Sequence, residues 1–119
     1  MLEVVAKICA MPRNHQLNNK SILQVFLETD YINKAESITK ERLVNYLTEN
    51  PELIQDWENY SSDKRYSPAW YFIKDQSKWI VGFSGMPGQG KKQTFDSAPE
   101  ACAEFILHEI KHLEERAPR

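Results

Sequence analysis

The chain is poor in cysteine, glycine and unbroken apolar runs, and each shortage excludes something. Only two cysteines are present, Cys9 and Cys102, both in apolar, helix-like surroundings. A disulfide-stapled scaffold or a cysteine-rich metal site needs more, so both read as small buried hydrophobes of a reducing compartment. All four glycines fall between Gly82 and Gly90, which confines loop-forming freedom to one place. No run approaches the roughly 18 apolar residues of a membrane-spanning helix. Met1 to Ala10 carries Glu3 and Lys7 within its apolar pattern, so no secretory leader is expected and a cytoplasmic location follows. With 41% hydrophobic and 27% charged residues over 119 positions, the composition is that of one soluble, folded domain.

What is present in quantity is aromatic surface, and it is concentrated. Residues 57–83 hold all three tryptophans, Trp57, Trp70 and Trp79, and eight of the thirteen aromatic residues. Aromatic side chains bury the most apolar area per residue, so this stretch anchors the expected core. Trp70-Tyr71-Phe72-Ile73 and Trp79-Ile80-Val81 read as strands joined by the turn Asp75-Gln76-Ser77. In that hairpin Trp70 and Phe72 share one face with Trp79, Val81 and Phe83, while Tyr71 and Ile73 face the other way. Gln93 to Phe95 supplies a short third strand.

Helical spacing surrounds the hairpin. Leu2, Val5, Ala6 and Cys9 repeat at helical intervals up to Pro12, and residues 12–20 read as a polar loop. Ser21 and Gln24 form a capping box for a helix carrying Ile22, Val25, Phe26 and Tyr31. Thr39 caps the next helix, with Leu43, Val44 and Leu47 on its inner face. Asn50-Pro51 ends that helix and opens another, lined by Leu53, Ile54, Trp57 and Tyr60. Ser97-Ala98-Pro99-Glu100 starts a closing helix that runs to about Leu113. The expected fold is α+β: about four N-terminal helices (1–63), a three-stranded antiparallel meander (68–96) and a C-terminal helix (98–113), in a single domain.

Two motifs resemble enzyme signatures. Gly85-x-x-x-x-Gly90-Lys91 is one residue short of a phosphate-binding loop, because Lys92 stands where a Ser or Thr must hold magnesium. The residues after it alternate like a strand and do not open a helix. His108-Glu109-x-x-His112 matches a zinc-hydrolase pattern and makes His108 and His112 candidate metal ligands. No third ligand follows, however, and Glu109 falls on the apolar face among Cys102, Phe105, Ile106 and Leu113. Such a carboxylate requires a hydrogen-bond partner, Arg65 or a Tyr or Trp donor. No nucleophile–base arrangement stands out, so neither catalysis nor a cofactor is expected.

Charge is distributed by segment: residues 39–63 sum to −4, residues 64–95 to +5 and residues 96–119 to −3, for a net −2. An acidic helical part beside a basic hairpin steers a charged protein partner. One alternative is a winged-helix nucleic-acid binder with Lys74, Lys78, Lys91 and Lys92 as its wing. Its recognition helix would carry Glu52, Asp56 and Glu58, which repel phosphate. Direct nucleic-acid binding and membrane association are therefore not expected.

The runs SSDKRYSPAWYF (Ser61–Phe72), KWIVGF (Lys78–Phe83) and FDSAPEACAEFILHEI (Phe95–Ile110) resemble small immunity proteins. These are encoded beside polymorphic toxins, including those of contact-dependent growth inhibition systems. The resemblance spans about residues 40–112. It implies a bacterial cytoplasmic antitoxin that binds one cognate toxin domain and blocks its active or substrate-binding surface. Many such toxins are basic nucleases, often tRNA-cleaving, which an acidic inhibitor suits. On this reading the partner-facing group is Glu52, Asp56, Glu58 and Asp63, with Trp57, Tyr60 and Tyr66 as aromatic anchors.

Overall fold

The computed structural model describes residues 2–63, 69–84 and 92–116. Among the described residues six helices precede the sheet: α1 (Leu2–Cys9), α2 (Met11–Asn18), α3 (Ile22–Glu28), α4 (Tyr31–Lys34), α5 (Lys40–Glu49) and α6 (Glu52–Asp63). A single 3-10 turn, Ala35–Ser37, links α4 to α5. Then come β1 (Ala69–Asp75), β2 (Lys78–Ser84), β3 (Lys92–Phe95) and the closing α7 (Ala98–Arg116). The strands form one antiparallel sheet in the order β1-β2-β3. The chain is α+β, with helices before a meander and one long helix after it.

α7 is the element on which the others assemble. It packs against all three strands and against α3, α5 and α6. Its buried residues, Ala101, Cys102, Ala103, Phe105, Ile106, Glu109, Ile110 and Leu113, cover far more than one narrow stripe. A helix enclosed on several sides is expected to be apolar over much of its circumference. Phe105 joins the two layers, contacting Phe72 on the sheet (ring centroids 5.8 Å) and Trp57 on α6 (5.9 Å).

The hairpin has the register that its sequence requires. Asp75 pairs with Lys78 across a two-residue turn, Trp70 with Phe83 and Phe72 with Val81. Gln76 takes φ 58°, the left-handed conformation that two-residue hairpins demand. Phe72 and Val81 are buried, whereas Ile73 stays 40% exposed on the outer face. Opposite Tyr71 stands Gly82, where any Cβ would lie within 2.6 Å of the Tyr71 ring. The absent side chain lets that ring lie across the strand, as aromatics do over sheet glycines.

Two expectations are corrected. Residues 12–20 are not a loop: Met11–Asn18 is a helix with proline in its first turn, where no N–H is needed. Only Met11 and Pro12 of α2 are buried, so its remaining residues leave no apolar stripe to read. The helix that opens at Ser21 also stops early. It ends at Glu28, and Asp30 adopts φ 65°, so Tyr31 begins a separate helix and returns to touch Phe26 (5.4 Å). Two of the caps read from sequence hold, those at Ser21 and Thr39. Ser21 Oγ accepts from Gln24 N–H at 3.1 Å and Thr39 Oγ1 from Arg42 N–H at 3.2 Å. Asn50 turns its side-chain amide back to the Tyr46 carbonyl (2.9 Å), closing α5.

Candidate partner interface

α6 buries Leu53, Ile54, Trp57 and Ser61 and turns Glu52, Gln55, Asn59 and Ser62 to solvent. At 100° per residue, Glu52 and Asp56 fall within about 40° of one another on the outer side. Glu58 lies about 120° from Glu52, on the other flank of the helix. Glu52 and Asp56 therefore share one stripe, Glu58 does not, and the side chain of Asp63 lies outside the described residues. Glu52 and Glu58 have no ion-pair partner among the described residues. Asp56 has one: Arg13 of α2 donates its Nε–H to Asp56 Oδ2 at 2.9 Å.

The aromatic anchors separate differently. Trp57 is fully buried, edge-on to Tyr60 (5.6 Å) and Phe105, and is a core residue with no surface to offer a partner. Its indole N–H donates to the Cys9 carbonyl at 2.8 Å. That carbonyl ends α1, where an intrahelical donor is missing, so the tryptophan caps one helix from inside another. Tyr60 is half-buried, and its hydroxyl donates to Glu109 Oε2 at 2.9 Å. Tyr66 and Arg65 lie outside the described residues, as does the Gly85–Lys91 loop. β3 follows that loop directly, so a strand stands where a phosphate-binding helix would begin.

Two residues of the zinc-like motif, His108 and Glu109, are engaged by other contacts. His108 stacks flat on Trp70 (3.6 Å between ring centroids, 7° between planes), and its Nε2 meets Glu104 Oε2 at 3.0 Å. Glu104 Oε1 lies 3.2 Å from Lys40 Nζ, and that ammonium sits over the Phe95 ring. Burial pushes the His108 pKa down, and the neighbouring Glu104 carboxylate only partly opposes it. Glu109, 1% exposed, bonds Tyr60 and so has the tyrosine donor that its position requires. Among the described residues no group of three His, Cys, Asp or Glu is placed to hold a metal ion. Burial also holds both thiols neutral, raising Cys9 to about 12 and Cys102 well above its usual value.

Two arrangements escaped the sequence. The Arg13–Asp56 bridge was hidden because α2 read as a loop. The Lys40–Glu104–His108–Trp70 chain joins α5, α7 and β1, three elements whose approach no local spacing reveals. Within it, Glu104 and His108 stand four residues apart on a helix, a visible pairing signal. Beside this chain a cavity of about 310 Å³ opens between the sheet and α7, lined by Trp70, Val81, Lys92, Gln93, Glu104 and His108.

Compared with protein-family models, with curated proteins and with solved structures, the chain finds no match in any of the three. Among the described residues no helix is long and apolar enough to cross a membrane.

Proposed function

We propose that this chain is an immunity-type inhibitor that binds a cognate bacterial toxin domain and covers its active or substrate-binding surface. The observation that carries the reading is the pair Glu52 and Asp56 on the outer side of α6, in the −4 segment of the chain. The resemblance over residues 40–112 points the same way. Carboxylates at that spacing imitate the charge of a nucleic-acid backbone, and so fit a basic nuclease such as one that cleaves tRNA. The same stripe opposes a nucleic-acid-binding role, because α6 would have to carry its carboxylates toward phosphates. In this reading the inhibitor acts in the cytoplasm, without catalysis or cofactor.

The test is co-purification with the domain encoded immediately upstream, followed by binding kinetics at low and high salt. Nanomolar binding that weakens with salt is expected, together with rescue of cells expressing that domain. Glu52→Lys should slow association at low salt by about tenfold, because rim charges act mainly on the on-rate. Glu58→Lys, on the other flank, should slow it less. Unchanged association of the Glu52 variant would remove α6 from the interface, and absence of any binding would remove the inhibitor reading itself.

A further inference from the structure

Among the described residues, one edge of the sheet meets α6 and the other has no neighbouring strand. Across a two-residue turn, Asp75 and Lys78 form the closing hydrogen-bonded pair, and bonding then alternates along the strands. Asp75, Ile73 and Tyr71 bond to β2, while Lys74, Phe72 and Trp70 present their backbone groups outward. Phe72 N–H does point outward, and it ends on the buried Ser61 Oγ of α6 at 2.8 Å. α6 thus packs along β1 and engages its outer edge at Phe72. By the same alternation Trp79 and Val81 bond to Phe95 and Gln93, which leaves the N–H and C=O of Lys92 and Thr94 directed away from β2. Among the described residues no strand lies beyond β3, and neither Lys92 nor Thr94 makes a hydrogen bond on that side.

This β3 edge adjoins the 310 Å³ cavity between the sheet and α7, with Gln93 and Lys92 on its rim and Trp70, Val81 and His108 inside. Lys92 is exposed and has no carboxylate partner among the described residues. We infer that β3 and this seam receive an extended, acidic segment of the partner protein, added as a fourth antiparallel or parallel strand. Main-chain bonds to Thr94 and Lys92 supply affinity, and alternate side chains of the added strand turn into the seam or toward the lysine. A lysine on an edge discourages apolar strands and admits a carboxylate-bearing one. A second copy of this chain fits poorly. Two four-residue strands bury far less than the roughly 1,600 Å² of a standard interface, and would set two Lys92 side chains on one short ladder.

The inference rests on the inhibitor reading, because the partner is the same; it adds a second contact of opposite charge to α6. The molecule measures 34 Å in its longest direction, so about ten residues of extended chain span it.

The experiment uses the upstream-encoded domain bound to the full chain, with amide hydrogen exchange and dissociation rates as readouts. Thr94→Pro removes only an outward N–H, a substitution that edge strands tolerate, and circular dichroism checks the fold. Lys92→Glu, a surface change, tests the same edge if the proline variant fails to fold. Slower exchange at Thr94 in the complex alone is expected, with dissociation about tenfold faster in either variant. A wild-type complex in which Thr94 exchanges as in the free chain, with the variants dissociating normally, overturns the inference and leaves the inhibitor reading intact. A wild-type chain that does not bind the domain overturns both.

Discussion

His108 holds a position that no single role in a motif would require. Its ring covers Trp70 of β1 while its Nε2 meets Glu104, so α7 is joined to the sheet through a titratable group. The charged groups around it are Glu104, Glu109 and Lys111 on its own helix, with Lys92 of β3 across the cavity and Lys40 of α5 behind Glu104. Because burial lowers its folded pKa below 6.5, the unfolded chain takes up the proton first as pH falls. The neutral ring therefore contributes stability that is present above pH 6.5 and is lost as pH drops from there to the folded pKa. Urea denaturation should show wild type losing more stability between pH 7 and about 5 than His108→Phe, which keeps the stack without the titration. Parallel profiles would mean that His108 does not titrate in this window. Trp57 shows the limit of reading single residues. Its spacing with Leu53, Ile54 and Tyr60 marked a helix face correctly, but only the fold shows that α1 and α7 enclose it.

Among the elements, those with explicit end signals were legible. Thr39 before an apolar repeat and Ser21 before Gln24 both cap the helices that they announce. α5, which Thr39 caps, packs on α1 and α7, so its first turn is coupled to the core. Thr39→Ala should cost about 1 kcal/mol, and Thr39→Ser should recover most of it. Equal stability of all three proteins in chemical denaturation would show that the cap bond contributes nothing. α2 was illegible for a physical reason. Its helix is made of polar residues resting on Met11 and Pro12, and proline ends some helices and begins others. The α3–α4 break depends on Asp30 taking a positive φ, which aspartate tolerates but does not announce.

At the scale of the whole molecule, one buried cluster joins α1, α3, α5, α6, α7 and the sheet, from Val5 and Phe26 through Leu43 and Trp57 to Phe72 and Phe105. With no second core for part of the chain to retain, unfolding should be a single transition. Far-UV circular dichroism, which follows the helices, and tryptophan fluorescence, which follows Trp57, Trp70 and Trp79, should share one midpoint. Separate midpoints would show that the sheet and the helical part come apart independently. The charge pattern also belongs to this scale. The −4 segment forms α5 and α6, which pack on α7 and β1, and the +5 segment contains all three strands.

By itself the sequence determined the periodic parts: the aromatic hairpin with its turn region, the caps of α3 and α5, and a closing helix with Glu109 on its apolar side. These depend on spacing within one element, which side-chain period and turn chemistry express locally. Of the candidate interface, it named Glu52, Asp56, Glu58 and Asp63 as one group and did not separate Glu58, which lies on the other flank of α6. Only the tertiary structure decided that Asp56 is engaged by Arg13, that Tyr60 serves Glu109, that His108 is committed to Trp70 and Glu104, and that α6 engages the outer edge of β1 at Phe72. Each of these joins residues from different elements. The free energy of such contacts depends on approach in space, which is set by how the whole apolar surface is buried and not by any local pattern.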